Sequence, residues 1–154
     1  MKITLLCVGR LGDAPESRLA ADWAARATAI GRTLGLGPVE IVEVEGRKSG
    51  KAAEADVLLP RLEGAHVIAC DEHGQGRASR EFAAMLGRLR DDGVRRLALV
   101  VGGADGLDGR VLEVAQGRLA FGPQTWPHAL VRAMLAEQVY RAATILAGSP
   151  YHRD

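Results

Sequence analysis

RRLALVVGG, residues 95–103, decides the fold of this chain of 154 residues. Leu97 to Val101 form an apolar run without a polar side chain, and two glycines follow it. A strand in the middle of a parallel sheet is covered on both faces and therefore needs apolar side chains throughout. The run predicts such a central strand, and hence an α/β fold in which helices cover both faces of a mostly parallel sheet.

Strands and helices alternate along the chain on both sides of this run. The predicted strands cover residues 2–9, 38–46, 66–71, 95–103 and 118–122. The predicted helices lie within residues 13–34, 52–63, 76–93, 108–117 and 127–147. Asp13, Pro15 and Glu16 have the spacing of a helix start with Asp13 as the N-cap. The alternation predicts one α/β domain of residues 1–154.

The composition excludes some classes of protein. The formal net charge is +1, so a nucleic-acid partner would need a local basic patch rather than a uniformly basic surface. No apolar run approaches the roughly 20 residues of a membrane span, and the first residues lack the cleavage site of an export signal. We therefore expect no membrane association and a cytoplasmic location, where Cys7 and Cys70 are reduced, buried thiols.

Three strand ends are candidates for a ligand site, because ligands of open parallel sheets bind beyond the carboxyl ends of the strands. These ends are CDEHG (70–74), VVGGADGL (100–107) and FGPQTWPH (121–128). The glycine fingerprint of a dinucleotide site should follow the first strand and does not, and the chain has no P-loop sequence. On spacing alone, GGADG is typical of a tight turn from a strand into a helix.

The last predicted helix is apolar around nearly its whole circumference. Such a helix lies deep in its own domain or against a second subunit, and in a chain of this size we favour a homodimer. Arg132 lies among small and apolar residues, where its head either reaches solvent or binds a phosphate or carboxylate at an interface. Glu137 and Arg141 have the i,i+4 spacing of a simple helix-surface pair.

Three segments carry a more specific pattern: LVVGGADGL (99–107), FGPQTWPHALVRAMLAEQVYRA (121–142) and the terminal SPYHRD (149–154). Together with the basic loop GRKSGK (46–51), they resemble the ribosomal RNA large-subunit methyltransferase H family of the SPOUT class. The resemblance implies a C-terminal trefoil knot, a homodimer, and S-adenosylmethionine as methyl donor without a metal. It also implies that the acceptor is N3 of a pseudouridine in large-subunit (23S) ribosomal RNA on the assembled ribosome.

The resemblance also assigns residues to the donor site. The residues expected to contact the methyl donor are Cys70, Gly102, Phe121, Gly122, Pro123, Gln124, Thr125 and Trp126. Cys70, Gly122 and Pro123 depart from the family's usual residues, which gives some weight to a non-catalytic ribosome-binding or assembly factor with the same fold. A related SPOUT RNA methyltransferase with a different acceptor is the other alternative.

The tail of the chain carries the expected catalytic groups. The imide N3 of pseudouridine attacks well only after it loses its proton, so a base or a cation that favours the anion is needed. His152 suits the first role, Arg153 the second, and Tyr151 can stack on a base. This assignment requires the tail to dock over a methyl-donor site, and we expect that site to belong to the partner subunit.

Basic residues near these loops are expected to hold the RNA. The candidates are Arg47, Lys48, Lys51, Arg132 and Arg141. The alternative for the loop that carries the first three is a solvated basic turn. Contacts to RNA phosphates would make binding weaken with salt.

Overall fold

The computed structural model describes residues 1–46, 48 and 50–153. Its strands are β1 (Lys2–Val8), β2 (Val39–Val44), β3 (His66–Gly76), β4 (Arg96–Val101) and β5 (Gly117–Ala120). Its helices are α1 (Pro15–Gly31), α2 (Lys51–Leu62), α3 (Ser79–Asp91), α4 (Gly109–Val114) and α5 (His128–Leu146), with a short 3₁₀ turn at Arg32–Leu34. Within these residues no helix is long and apolar enough to cross a membrane.

The described strands form one parallel sheet in the order β2-β1-β4-β3-β5. β4 lies at its centre, and Leu97 to Val101 are all buried, so the predicted α/β class and the central strand are confirmed. Burial of a continuous apolar strand is the main reason that it takes the middle position. The trefoil knot implied by the resemblance stays a prediction.

Two apolar cores cover the two faces of the sheet. Successive residues of a strand point to opposite faces, so Leu5 and Cys7 of β1 join one core while Leu6 and Val8 join the other. α1, α3 and α5 pack on the first face, and α2 and α4 on the second. Because α5 crosses the first face between α1 and α3, one side of its middle section is buried, including Leu135, Ala136 and Val139.

Two local details differ from the sequence-based expectations. The N-cap of α1 is Ala14 and no side chain caps the helix, so the prediction of Asp13 as the cap is wrong. Pro15 occupies the first turn, where its missing N–H removes one of the donors that a cap would satisfy. β3 continues to Gly76 instead of ending at residue 71, with an irregularity between Cys70 and Gln75.

The extension of β3 exists because β5 pairs with it as the edge strand. Gln75 lies opposite Leu119, and Gly76 lies opposite Ala120. A Cβ atom at Gly74 would lie 2.8 Å from the backbone of Leu119, so only glycine allows this approach. The extension brings Glu72, which lies within it, beside the loop that follows β5.

Candidate functional site

A cavity of about 670 Å³ lies at the carboxyl edge of the sheet, where β3, β4 and β5 end. This volume falls within the range of ordinary small-molecule sites. Of the residues expected to contact a donor, those that line the cavity are Cys70, Gly102, Phe121, Gly122, Gln124, Thr125 and Trp126. Pro123 is exposed and is not among the lining residues. The structure thus brings together all three segments selected by the strand-end rule, although residues 70–74 lie within the extended β3 rather than in a loop.

The loop after β4 presents backbone to the cavity. The N–H of Gly106 donates to the carbonyl oxygen of Gly103 at 3.1 Å, and the two residues form a short antiparallel bridge. A Cβ atom at Gly102 would lie 2.8 Å from the carbonyl carbon of Gly106, so glycine is needed for this tight turn. The carboxylate of Asp108 then accepts the N–H of Arg110 at 2.9 Å and caps α4.

The loop after β5 folds into an arch over the same cavity. The indole N–H of Trp126 donates to the carbonyl oxygen of Phe121 at 3.1 Å and closes the arch. The hydroxyl of Thr125 donates to Glu72 Oε2 at 3.2 Å and ties the arch to β3. Trp126 remains 40% exposed, so its ring lies at the cavity mouth, where a ligand would contact it.

Charged groups of both signs line the cavity. Asp71, Glu72 and Asp105 supply carboxylates, and Lys51 and Arg118 supply cations. Arg118 Nη1 lies 3.5 Å from Asp71 Oδ2. This mixture suits a ligand that carries both an ammonium and a carboxylate group. Among the described residues, no three His, Cys, Asp or Glu side chains are placed to share a metal ion.

The sulfur of Cys70 contributes an uncharged group to the wall. Burial raises the pKa of the Cys70 thiol well above its usual range. Burial likewise raises the pKa of Cys7 to about 12. Both thiols therefore stay protonated at neutral pH. Cys7 is buried as expected, whereas Cys70 is only partly buried because it faces the cavity. Cys7, Val101 and Cys70 lie in register on three neighbouring strands, so their side chains share one face of the sheet.

The C-terminal tail docks on α5 and α1 of its own chain. The hydroxyl of Tyr151 donates to Glu137 Oε1 at 3.0 Å. The ring of Tyr151 meets that of Tyr140 edge to face at 4.8 Å, and that of Trp23 at 6.0 Å. Burial raises the pKa of the Tyr151 phenol, and the hydrogen bond to Glu137 adds to this effect. The ring is therefore held as a neutral phenol.

The tail and the cavity of one chain lie apart. His128 and Val131 line the cavity from the first turns of α5, whereas the tail contacts Glu137 and Arg141. At 1.5 Å of rise per residue, Arg141 lies about 15 Å along the helix from Val131. None of Tyr151, His152 and Arg153 lines the cavity of its own chain.

The basic candidates lie in different settings. Lys48 and Lys51 are exposed, and Lys51 also lines the cavity. Arg47 lies outside the described residues. Arg141 Nη2 donates to Glu137 Oε1 at 2.5 Å and its Nη1 lies 3.3 Å from His152 Nδ1, so its guanidinium already has partners within the chain.

Arg132 binds a carboxylate, as one of its two interpretations allowed, but that carboxylate belongs to its own chain and the pair is not at an open edge. It is only 1% exposed, donates from Nη1 to Glu43 Oε1 at 3.0 Å, and donates from Nη2 to the carbonyl oxygen of Val8. Glu43 also accepts the N–H of Leu11 at 3.1 Å. The head of Arg132 thus neither reaches solvent nor is open to an RNA phosphate in this chain. No local signal could reveal this pairing, because Glu43 lies 89 residues earlier.

Comparisons with known proteins agree on a family. The family model described as "Predicted SPOUT methyltransferase" matches residues 1–152. A protein of Caulobacter sp. (strain K31) named ribosomal RNA large subunit methyltransferase H is 73% identical over 154 residues, with 100% of both chains covered. A protein of the same name from Caulobacter vibrioides is 68% identical, with 100% of this chain and 99% of that protein covered.

A solved structure shares the fold at low sequence identity. It is the crystal structure of a probable methyltransferase from Bordetella pertussis Tohama I, with a TM-score of 0.56 and 20% identity. The match covers 92% of this chain and 96% of that chain. The likeness supports the α/β architecture described above.

Proposed function

Because the chain belongs to the SPOUT methyltransferase family, with close relatives named ribosomal RNA large subunit methyltransferase H, we propose that it methylates N3 of a pseudouridine in large-subunit ribosomal RNA. The methyl donor is S-adenosylmethionine, and the substrate is the assembled ribosome, which places the enzyme in the cytoplasm. The observation that carries the proposal is the cavity lined by residues 70–73 of β3 and by the loops after β4 and β5.

The cavity suits the proposed donor. S-adenosylmethionine, when bound, supplies an electrophilic methyl group on a positively charged sulfur. Its size fits the cavity, and its amino-acid end, which carries an ammonium and a carboxylate, matches the mixed charges of Asp105 and Arg118. Cys70 is kept protonated by burial, so this wall presents no thiolate that would compete for the methyl group.

The side chains of the tail are proposed to remove the acceptor's proton and to stack on its base. N3 of pseudouridine must lose a proton before it attacks. His152 is the candidate base that takes this proton, and the guanidinium of Arg153 is the candidate cation that stabilises the resulting anion. Tyr151 presents an aromatic ring for stacking on a base. These groups lie too far along α5 from the cavity of their own chain, so we infer a homodimer in which each tail serves the partner subunit's cavity.

Donor binding can be followed by the fluorescence of the two tryptophans of the chain, Trp23 and Trp126. Only Trp126 lines the cavity. In a Trp23→Phe variant, titration with S-adenosylmethionine should change the fluorescence of Trp126, because the ligand replaces water at an exposed ring. In the matched Trp126→Phe variant the emission of Trp23 should stay constant. A response carried by Trp23 instead would place the donor elsewhere.

Lys48 and Lys51 are proposed to contact RNA phosphates. Replacing both with alanine should lower the affinity for ribosomes and reduce the slope of log K against log salt by about 1 to 2. The slope falls because fewer phosphate contacts form and fewer counterions are released on binding. Binding would be measured at several salt concentrations. Lys2→Ala, at the opposite edge of the sheet beside Glu40, is the control. An unchanged slope for the double variant would mean that the loop is a solvated turn.

The proposed function is tested by transfer of labelled methyl groups. The protein would be incubated with methyl-labelled S-adenosylmethionine and ribosomes that lack the modification, with deproteinised ribosomal RNA in parallel. We expect label on one pseudouridine of the large-subunit RNA, in ribosomes but not in free RNA, mapped by mass spectrometry. Donor binding without label on either substrate would refute the acceptor. A folded protein that binds ribosomes but no donor would instead be a binding factor.

A further inference from the structure

The carboxylate of Glu137 is the centre of a hydrogen-bond network that joins three segments of the chain. Its Oε1 accepts from the hydroxyl of Tyr151 at 3.0 Å and from Arg141 Nη2 at 2.5 Å. Its Oε2 accepts from Gln138 Nε2 at 2.8 Å, and the other end of that amide accepts from Ser79 Oγ at 2.9 Å. The network therefore runs from the start of α3, across α5, to the tail.

Glu137 makes more hydrogen bonds, and is more buried, than the carboxylate of an ordinary ion pair on a helix surface. An exposed i,i+4 ion pair contributes little to stability and leaves most of the carboxylate to solvent. Here the side chain of Glu137 is 18% exposed and that of Arg141 is 25% exposed. Hydrogen bonds to a charged carboxylate are stronger than those between neutral groups, and Tyr151 lies outside the helix, so Glu137 links the tail to α5.

Arg141 extends the same network to the next tail residue. Its guanidinium lies 4.8 Å over the ring of Tyr151, and its Nη1 lies 3.3 Å from His152 Nδ1. A guanidinium can only donate a hydrogen bond, so this contact forms only when Nδ1 of His152 carries no proton. Glu137 orients Arg141, and Arg141 in turn fixes the orientation of the imidazole with its proton on Nε2. His152 can therefore take up a further proton only at Nδ1, after this contact opens.

We propose that Glu137 and Arg141 are positioning residues that set the conformation of the catalytic tail. The inference rests on the proposed function, in which Tyr151 and His152 meet the acceptor base. Neither positioning residue touches the substrate, and Arg141 serves the tail rather than an RNA phosphate. Without Glu137, the Tyr151 hydroxyl loses its acceptor and the Arg141 guanidinium loses its anchor, so the tail leaves its place on α5.

The position of the tail can be measured without any assay of activity. The chain has two tyrosines, Tyr140 and Tyr151, so labelling with 3-fluorotyrosine gives two ¹⁹F resonances, assigned with a Tyr140→Phe variant. In the unmodified chain both should be shifted from free fluorotyrosine, because each ring faces other aromatic rings. Glu137→Ala should move the Tyr151 resonance to the free position, while Tyr140, held at 5.2 Å from Trp23, stays shifted and reports an intact fold.

The catalytic consequence is measured on the same variants. At saturating donor, Glu137→Ala should lower the turnover of methyl transfer about 100-fold, as expected for a misplaced catalytic group, with an unchanged calorimetric Kd for S-adenosylmethionine. Glu137→Gln keeps an acceptor for Tyr151 and should retain part of both the ¹⁹F shift and the turnover. Glu40→Gln breaks an exposed ion pair with Lys2 and should change neither.

Three outcomes would overturn the inference. The first is a Tyr151 resonance that stays in place in Glu137→Ala. The second is a displaced Tyr151 resonance with unchanged turnover. The third is a donor affinity that falls in parallel with turnover, as in a general loss of structure. If the unmodified protein methylates no ribosomal RNA, the proposed function fails, and the ¹⁹F spectra still decide whether Glu137 holds the tail.

Discussion

Replacing Tyr151, His152 and Arg153 together with alanine is expected to abolish methyl transfer while the protein still binds its donor. In the proposed mechanism the tail supplies the group that favours the anion of the acceptor, and loss of general base catalysis alone lowers rates by roughly 10²- to 10⁴-fold. Loss of stacking by Tyr151 adds to this effect. The cavity keeps all of its lining residues, because none of the three side chains contributes to it.

The measurement has two parts. Transfer of labelled methyl groups to ribosomes reports catalysis, and calorimetric titration with S-adenosylmethionine reports the cavity. Full activity in the triple variant would remove the tail from the mechanism. Equal loss of donor binding would show that the tail supports the fold rather than the chemistry.

Mixing two inactive variants separates the roles of the two subunits. The tail variant keeps its cavity, and Val131→Trp fills the cavity but keeps its tail, since Val131 lines the cavity from α5. If each tail serves the partner subunit's cavity, a mixed dimer has one complete site. Partial activity should therefore return after the two proteins are mixed and their subunits exchange. No recovery in a demonstrated mixed dimer would place the tail over the cavity of its own chain.

The second large effect concerns stability. Arg132→Met should lower the free energy of unfolding by about 3 kcal/mol, because it leaves the carboxylate of Glu43 without its cation and the carbonyl of Val8 without a donor. Two features moderate the loss: Glu43 is 29% exposed, and Arg132 Nε has no hydrogen-bond partner in the described part of the chain. The buried ion pair outweighs that one unpaired nitrogen.

Urea denaturation with and without Glu43 tests this expectation. The double variant Arg132→Met, Glu43→Gln should be more stable than the sum of the single changes implies, since the two side chains are in contact. Glu40→Gln, which breaks an exposed ion pair, should cost at most about 1 kcal/mol. A loss below about 1 kcal/mol in Arg132→Met would show that the pair contributes little beyond its own desolvation.

The parts of the fold that depend on local patterns could be predicted. The apolar run of Leu97 to Val101 indicates a central strand, and that strand lies at the centre of the sheet. The strand-end rule selected three segments, and residues from all three line the cavity, although the first lies within β3. Periodicity and loop composition carry this information because they reflect which faces are buried and where the backbone turns.

The parts that depend on distant partners could not be predicted. The pattern around Arg132 places it on a buried face but does not reveal Glu43, which approaches from β2. The extension of β3 to Gly76 depends on pairing with β5 rather than on its own residues. The spacing of Glu137 and Arg141 indicated a surface pair, and only the tail, which folds back onto α5, changes their setting.

The register of Cys7, Val101 and Cys70 has a practical consequence. Two strand spacings separate the cysteines, about 10 Å between Cα atoms, whereas a disulfide requires about 7 Å or less. Air oxidation therefore cannot join the two sulfurs within one folded chain, and their raised pKa values slow alkylation at neutral pH. A cysteine introduced at the surface would be the fast-reacting site for a maleimide dye, so distances in this molecule can be followed by fluorescence without removing the native thiols.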